Sequence, residues 1–149
     1  MSTPTLPILP CMCGSFRRTS RALTQLYEEA LRPLGLRASQ FSILQALSLA
    51  GEISQGQLGE ILAMDSTSLT RTLAIMIRRL WIAERRGEDR RKRWLRLTGA
   101  GERKLGGALP TWEKVQSRLR GQLGEQAWNN LLRLTQQMTS MVTTQGESL

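Results

Sequence analysis

The 149-residue chain is predicted to be mainly α within the α+β class. The expected architecture is a winged helix-turn-helix domain with a two-stranded β-wing, flanked by N- and C-terminal helices that form a dimerisation bundle. Three observations predict it. Apolar residues recur at three- and four-residue spacing through most of the chain. Two helical stretches in the middle are separated only by Ala63-Met64. Two short alternating stretches then enclose a charged turn, as in a β-hairpin.

The elements follow in order. Met1 to Pro10 is broken by prolines and lacks a basic start, so it reads as a loose tail and not as a secretory signal. From Gly14 to Leu34, Phe16, Leu23, Leu26, Tyr27, Ala30, Leu31 and Leu34 share one helical face, and Pro33-Leu34-Gly35 ends the run. Ser39 is placed to cap a helix over Gln40 to Ala50, with Phe41, Ile43, Leu44 and Leu47 inward. Ser54-Gln55-Gly56-Gln57 has the pattern of a capping box and opens a short helix through Leu58, Ile61 and Leu62. Asp65 caps the next helix, to about Arg79, with Leu69, Leu73, Met76 and Ile77 on its apolar side. Trp81 to Arg85 and Arg93 to Leu97 are the strands. Thr98 starts a long helix to about Gly124, in which Pro110 is expected to produce a bend or a split. A last helix runs from Glu125 to Thr144. The tryptophans, Trp81, Trp94, Trp112 and Trp128, read as core and interface fillers.

Composition narrows the chemistry. The formal charge is +9, which favours a polyanionic partner. Nine basic and three acidic residues lie between Arg78 and Arg96, a net of +6 in nineteen positions. There is no histidine, so Ser-His-Asp and Cys-His catalysis are excluded. With two cysteines and no histidine, no metal site and no cofactor are expected. No glycine-rich phosphate loop or acidic metal cluster suggests an enzyme acting on nucleic acid. No apolar run approaches the ~20 residues of a membrane span, so the expected compartment is the cytoplasm.

The basic segment and the preceding helix together suit duplex DNA. Ser66, Thr67, Ser68, Thr70 and Arg71 occupy the first turns of the Asp65–Arg79 helix, where short hydroxyl side chains let a helix sit deep in the major groove. Ser39, Ser54 and Gln55, at the starts of the neighbouring helices, join this DNA-facing set. At the hairpin tip, Asp89 is expected to brace an arginine side chain. An arginine held there can enter a narrow minor groove, and the rest of Arg90, Arg91, Lys92 and Arg93 would touch phosphate. Cys11 and Cys13 read as unremarkable thiols, as a redox sensor near a helix start flanked by Arg17 and Arg18, or as part of a metal site shared between subunits.

These residues carry a resemblance. Leu36-Arg37-Ala38-Ser39-Gln40-Phe41-Ser42-Ile43-Leu44, Ser54-Gln55-Gly56-Gln57-Leu58 and Asp65-Ser66-Thr67-Ser68-Leu69-Thr70-Arg71 resemble the MarR family of bacterial transcriptional regulators. So do Glu88-Asp89-Arg90-Arg91 and Leu97-Thr98-Gly99-Ala100-Gly101, and the match runs from about Cys11 to Val142. The Asp-x-Arg wing followed by Leu-Thr-x-x-Gly is its most specific part. The resemblance implies a homodimer that binds a palindromic operator in double-stranded DNA, usually as a repressor, and leaves when a small-molecule effector or an oxidant arrives. It makes Asp89 and Arg91 the Asp-x-Arg pair, with Arg91 in the minor groove.

It also implies an effector cleft where the dimerisation helices meet the winged domain. Arg17, Arg18 or Arg21 would pair there with the carboxylate of an aromatic acid, close to Tyr27 and Phe41. Relatives that sense hydroperoxides use a cysteine of the first helix, so the alternative is a redox-responsive repressor acting through Cys11 and Cys13. The chain departs from the family at Leu80, where glycine usually turns from recognition helix to wing. Either the helix ends differently or the wing leaves at another angle. The expected layout is a tail over 1–10, dimerisation helices over 11–35 and 100–145, and the DNA-binding domain over 36–99.

Overall fold

The computed structural model describes residues 7, 8 and 10–146. The tail reading of Met1 to Pro10 therefore lies largely outside the described residues. Helix α1 spans Met12–Leu31 and ends in a 3-10 turn over Arg32–Leu34. It is followed by α2 (Ala38–Ala50), β1 (Ile53–Ser54), α3 (Gln55–Leu62) and α4 (Ser66–Arg78). Then come β2 (Ile82–Arg86), β3 (Arg93–Leu97), α5 (Gly99–Leu123) and α6 (Glu125–Gly146).

The mainly helical class and the winged build hold. The two-stranded wing is the β2–β3 hairpin, and β1 adds a third strand to its sheet: β3 lies between β1 and β2, antiparallel to both. Ile53 stands opposite Leu95 and Ser54 opposite Trp94, whereas the hairpin pairs Ile82 with Leu97 and Arg86 with Arg93. A two-residue strand has no periodicity to read, so only pairing reveals it.

Residues up to Trp112 form one compact unit, and those from Glu113 onward form another. The first unit therefore takes in α1 and the first half of α5 together with the helix-turn-helix and wing. Its core is Leu31, Phe41, Ile43, Leu44, Leu47, Leu58, Leu69, Leu73, Met76, Ile82, Leu95 and Leu105, with Phe41 stacked on Trp112 at 5.9 Å. The apolar sets read for α2 and α4 are thus core residues. Ile61 is the exception on α3 and is exposed.

Several local signals resolve differently from the sequence reading. Helix α2 starts at Ala38, so Ser39 lies in its first turn and does not cap it. The backbone N–H of Arg37 donates to Gln40 Oε1 at 3.0 Å. That of Ala38 donates to Glu28 Oε1 of α1 at 2.9 Å. A carboxylate from another helix has taken the capping role, which no local pattern announces. Pro110 does not split α5, which runs unbroken from Gly99 to Leu123. Leu105, Ala108 and Trp112 pack into the core on both sides of the proline, and this outweighs the one missing N–H. The box at Ser54 forms as read, with Gln57 N–H donating to Ser54 Oγ and Ser54 N–H to Gln57 Oε1.

In the second unit Gly124, at φ 86°, turns α5 into α6. Arg120 lies over the Trp128 ring at 5.5 Å and pairs with Glu125. Among the described residues of this unit only Trp128 is buried, and Leu123, Leu131, Leu132, Leu134, Met141 and Val142 are exposed.

Candidate nucleic-acid interface

Asp65 starts the interface. Its Oδ1 accepts the backbone N–H of Ser68 at 2.8 Å, which holds the carboxyl below its usual range and satisfies one of the orphan donors of the helix start. Ser66, Thr67, Ser68, Thr70 and Arg71 are all exposed, while Leu69, Leu73 and Met76 on the opposite side are buried. Core packing thus orients the hydroxyl-rich face outward. Gln55 Nε2 donates to Thr70 Oγ1 at 2.8 Å, tying the start of α3 to α4. Ser54 Oγ is engaged in its capping box, and Ser39 is exposed.

The wing is braced from within. Arg85 makes a two-pronged pair with Glu52 and lies over the Trp94 ring at 5.5 Å. The Arg85 guanidinium accordingly holds the Glu52 carboxyl below its usual range. Arg93 pairs with Glu84 across the hairpin, so its charge is matched inside the sheet. Arg86 Nη1 donates to the Arg90 carbonyl at 2.7 Å and closes the loop. Asp89 does not brace an arginine side chain. Its Oδ1 accepts the backbone N–H of Arg91 at 3.0 Å, and its carbonyl accepts that of Lys92, an Asx turn that shapes the tip. Among the described residues the side chains of Arg71, Arg90 and Arg91 have no hydrogen bond or ion pair and remain open to a polyanion.

The junction from helix to wing explains the Leu-Thr-x-x-Gly motif. Trp81 N–H donates to the Met76 carbonyl and Leu80 N–H to that of Ile77, the double bond of a Schellman ending. The ending needs a left-handed residue, and Leu80 itself takes φ 60°. Helix α4 therefore ends as a glycine would end it, at the cost of strain in a leucine. Thr98 clamps the turn: its hydroxyl donates to the Leu80 carbonyl and accepts from Gly101 N–H, and its N–H donates to the Trp81 carbonyl. A Cβ on Gly101 would sit 2.1 Å from that carbonyl oxygen, so only glycine fits.

This arrangement is that of known regulators. The MarR family model matches residues 34–92. The M. tuberculosis transcriptional regulator MosR, solved in complex with DNA, is 32% identical and superposes with a TM-score of 0.80 over 90% of this chain and 97% of its own. This chain belongs to the MarR family. As a MarR-family protein it is a transcriptional regulator and not an enzyme. An uncharacterised HTH-type transcriptional regulator of Bacillus subtilis, YwoH, is 31% identical over 87 residues, which are 58% of this chain and 64% of that regulator. A variant of E. coli MarR complexed with operator DNA shares the fold at 22% identity, with a TM-score of 0.74 over 83% of this chain and 89% of its own. Among the described residues no helix is long and apolar enough to cross a membrane, and no three His, Cys, Asp or Glu side chains are grouped to hold a metal.

A second feature of this MarR-family chain lies at the other end of α4. An open cleft of about 940 Å³ is lined by Arg21 and Glu28 of α1, Arg32 and Arg37 around the 3-10 turn, Ile75 of α4 and Arg79 at its C-cap. Of the residues expected at an effector, only Arg21 lines it. Tyr27 packs against the core, and its hydroxyl is pushed up by burial. Phe41 is inside the core. Arg17 is exposed elsewhere on α1, and Arg18 donates to the Pro7 carbonyl. Arg32, Arg37 and Arg79 were not singled out in the sequence, because they belong to three different elements. Cys11, the extended residue before α1, and Cys13 in its first turn are both free and exposed.

Proposed function

We propose that the chain acts in the cytoplasm as a homodimeric repressor of a palindromic operator, and that a small anionic ligand releases it. In this reading α4 enters the major groove with Ser66, Thr67, Ser68, Thr70 and Arg71, and the wing carries Arg91 to the minor groove. The observation that carries it is the pairing of an outward hydroxyl face on α4 with a braced hairpin whose Arg90 and Arg91 side chains have no carboxylate partner among the described residues. MosR, the relative at 32% identity, was solved with DNA. The dimer is supported by apolar residues exposed on both terminal helices: Met12, Phe16 and Leu23 on α1, and Leu131, Leu134 and Met141 on α6.

Replacing Arg91 with Ala tests the reading. In a mobility-shift titration against duplex fragments from the gene's own upstream region, affinity should fall on the order of tenfold, and the salt slope should flatten by about one counterion. Unchanged affinity and slope in a folded Arg91→Ala protein would remove the wing from the interface.

A further inference from the structure

We propose that the cleft between α1, the 3-10 turn and the C-terminal end of α4 binds a compact dianion. A phosphate monoester and a dicarboxylate share the chemistry required. This deepens the reading above, since it names the class of the releasing ligand and rests on α4 being the DNA-reading helix.

The lining residues carry the argument. Four arginines, Arg21, Arg32, Arg37 and Arg79, face one carboxylate, Glu28, so the lining carries a net +3, four minus one. Glu28 neutralises little of that. One of its oxygens accepts the Ala38 N–H, and the other approaches Arg37 only to 3.9 Å. Among the described residues the side chains of Arg21 and Arg32 have no hydrogen bond or ion pair. A single carboxylate is satisfied by one bidentate guanidinium, so this lining suits a ligand with more than one negative charge. No aromatic side chain lines the cleft, which leaves an aromatic acid without a stacking surface.

Arg79 is held ready for such a ligand. Its guanidinium lies over the Trp81 ring at 5.1 Å, and Nη1 donates to the Gly35 carbonyl at 3.2 Å. The remaining N–H groups of its fork are uncommitted. Lys104 lies over the same ring, also at 5.1 Å, and donates to the Leu34 carbonyl. The residue that grips the anion is therefore also the residue that ends α4, one position before Leu80 and the wing. Ile75 and Arg79 lie roughly 14–20 Å along the helix axis from Ser66, so a ligand here would not block the DNA face. It would act on the seating of α4 by drawing Arg79 toward Arg21 and Arg32. An effector of this kind shifts DNA affinity only by its differential affinity for the two seatings.

The test is calorimetric titration of the full chain, without DNA, with glycerol 3-phosphate, succinate and benzoate. Binding of either dianion, weakened at least tenfold in Arg32→Gln and in Arg79→Gln but unchanged in Arg17→Gln, is the expected result. The first two probes decide between ester and dicarboxylate. Arg79 also packs on Trp81, so the exposed Arg32 is the variant that separates ligand contact from folding. Benzoate binding as tight as either dianion, with the same arginine dependence, would overturn the assignment of class. Absence of binding by all three would overturn the site, and so would loss of duplex affinity in Arg32→Gln without any anion binding, which would make the cleft a DNA contact. Because the titration contains no DNA, its failure is distinct from that of the operator reading, which Arg91→Ala tests.

Discussion

The two compact units use the same kind of amphipathic helix to different ends. In the first, α4 buries its apolar face against α2 and α3, and its Leu73 and Met76 are wholly inaccessible, as are Ile43 and Leu44 of α2 and Leu58 of α3. In the second, α6 carries an equally regular apolar series, yet Leu131 is 46% and Leu134 52% exposed. A helix with an uncovered stripe has not buried what its pattern was selected to bury. The contrast separates a region whose sequence is satisfied within the chain from one whose apolar stripe the described residues leave uncovered.

The comparison breaks most visibly at Gly101. An added methyl would meet the Trp81 backbone carbonyl, which cannot move without undoing the Schellman ending of α4. Gly101→Ala should cost about 3 kcal/mol or more, read as a fall in the urea midpoint. A midpoint within error of the parent would mean that the close approach relaxes freely.

Next in size is a matched pair of truncations. Leu73→Ala, at a fully buried site, should cost about 2–5 kcal/mol. Leu131→Ala should change the stability of a dilute, monomeric sample by no more than about 0.5 kcal/mol. Light scattering at higher concentration should instead show Leu131→Asp shifted to monomer. A dimer that survives Leu131→Asp unweakened would place the interface elsewhere and spoil the contrast.

The smallest effect sharpens the comparison within the first unit. Leu80 holds a left-handed conformation while 71% exposed, so it contributes strain with little burial. Relief of that strain is worth roughly 1–2 kcal/mol, offset by about 0.5–1 kcal/mol for the greater freedom of glycine in the unfolded chain. Leu80→Gly should therefore raise stability by about 0.5–1 kcal/mol, seen as a higher melting temperature. A lower one would show that the Leu80 side chain stabilises the turn.

Periodicity, together with capping and breaking residues, locates the helices and most of the core, because burial of one face leaves a record in every third or fourth residue. Composition excluded histidine-based catalysis, and the run from Arg78 to Arg96 announced a polyanion, since charge is read directly from residue type. The tertiary structure decided matters that depend on groups distant in sequence. It gave Arg93 to Glu84 and Arg85 to Glu52, leaving Arg90 and Arg91 open. It turned Asp89 toward the backbone and Glu28 onto the start of α2, and it brought Arg21, Arg32, Arg37 and Arg79 around one cleft. Such pairings depend on distances of a few ångströms between elements far apart along the chain, and no local spacing encodes them.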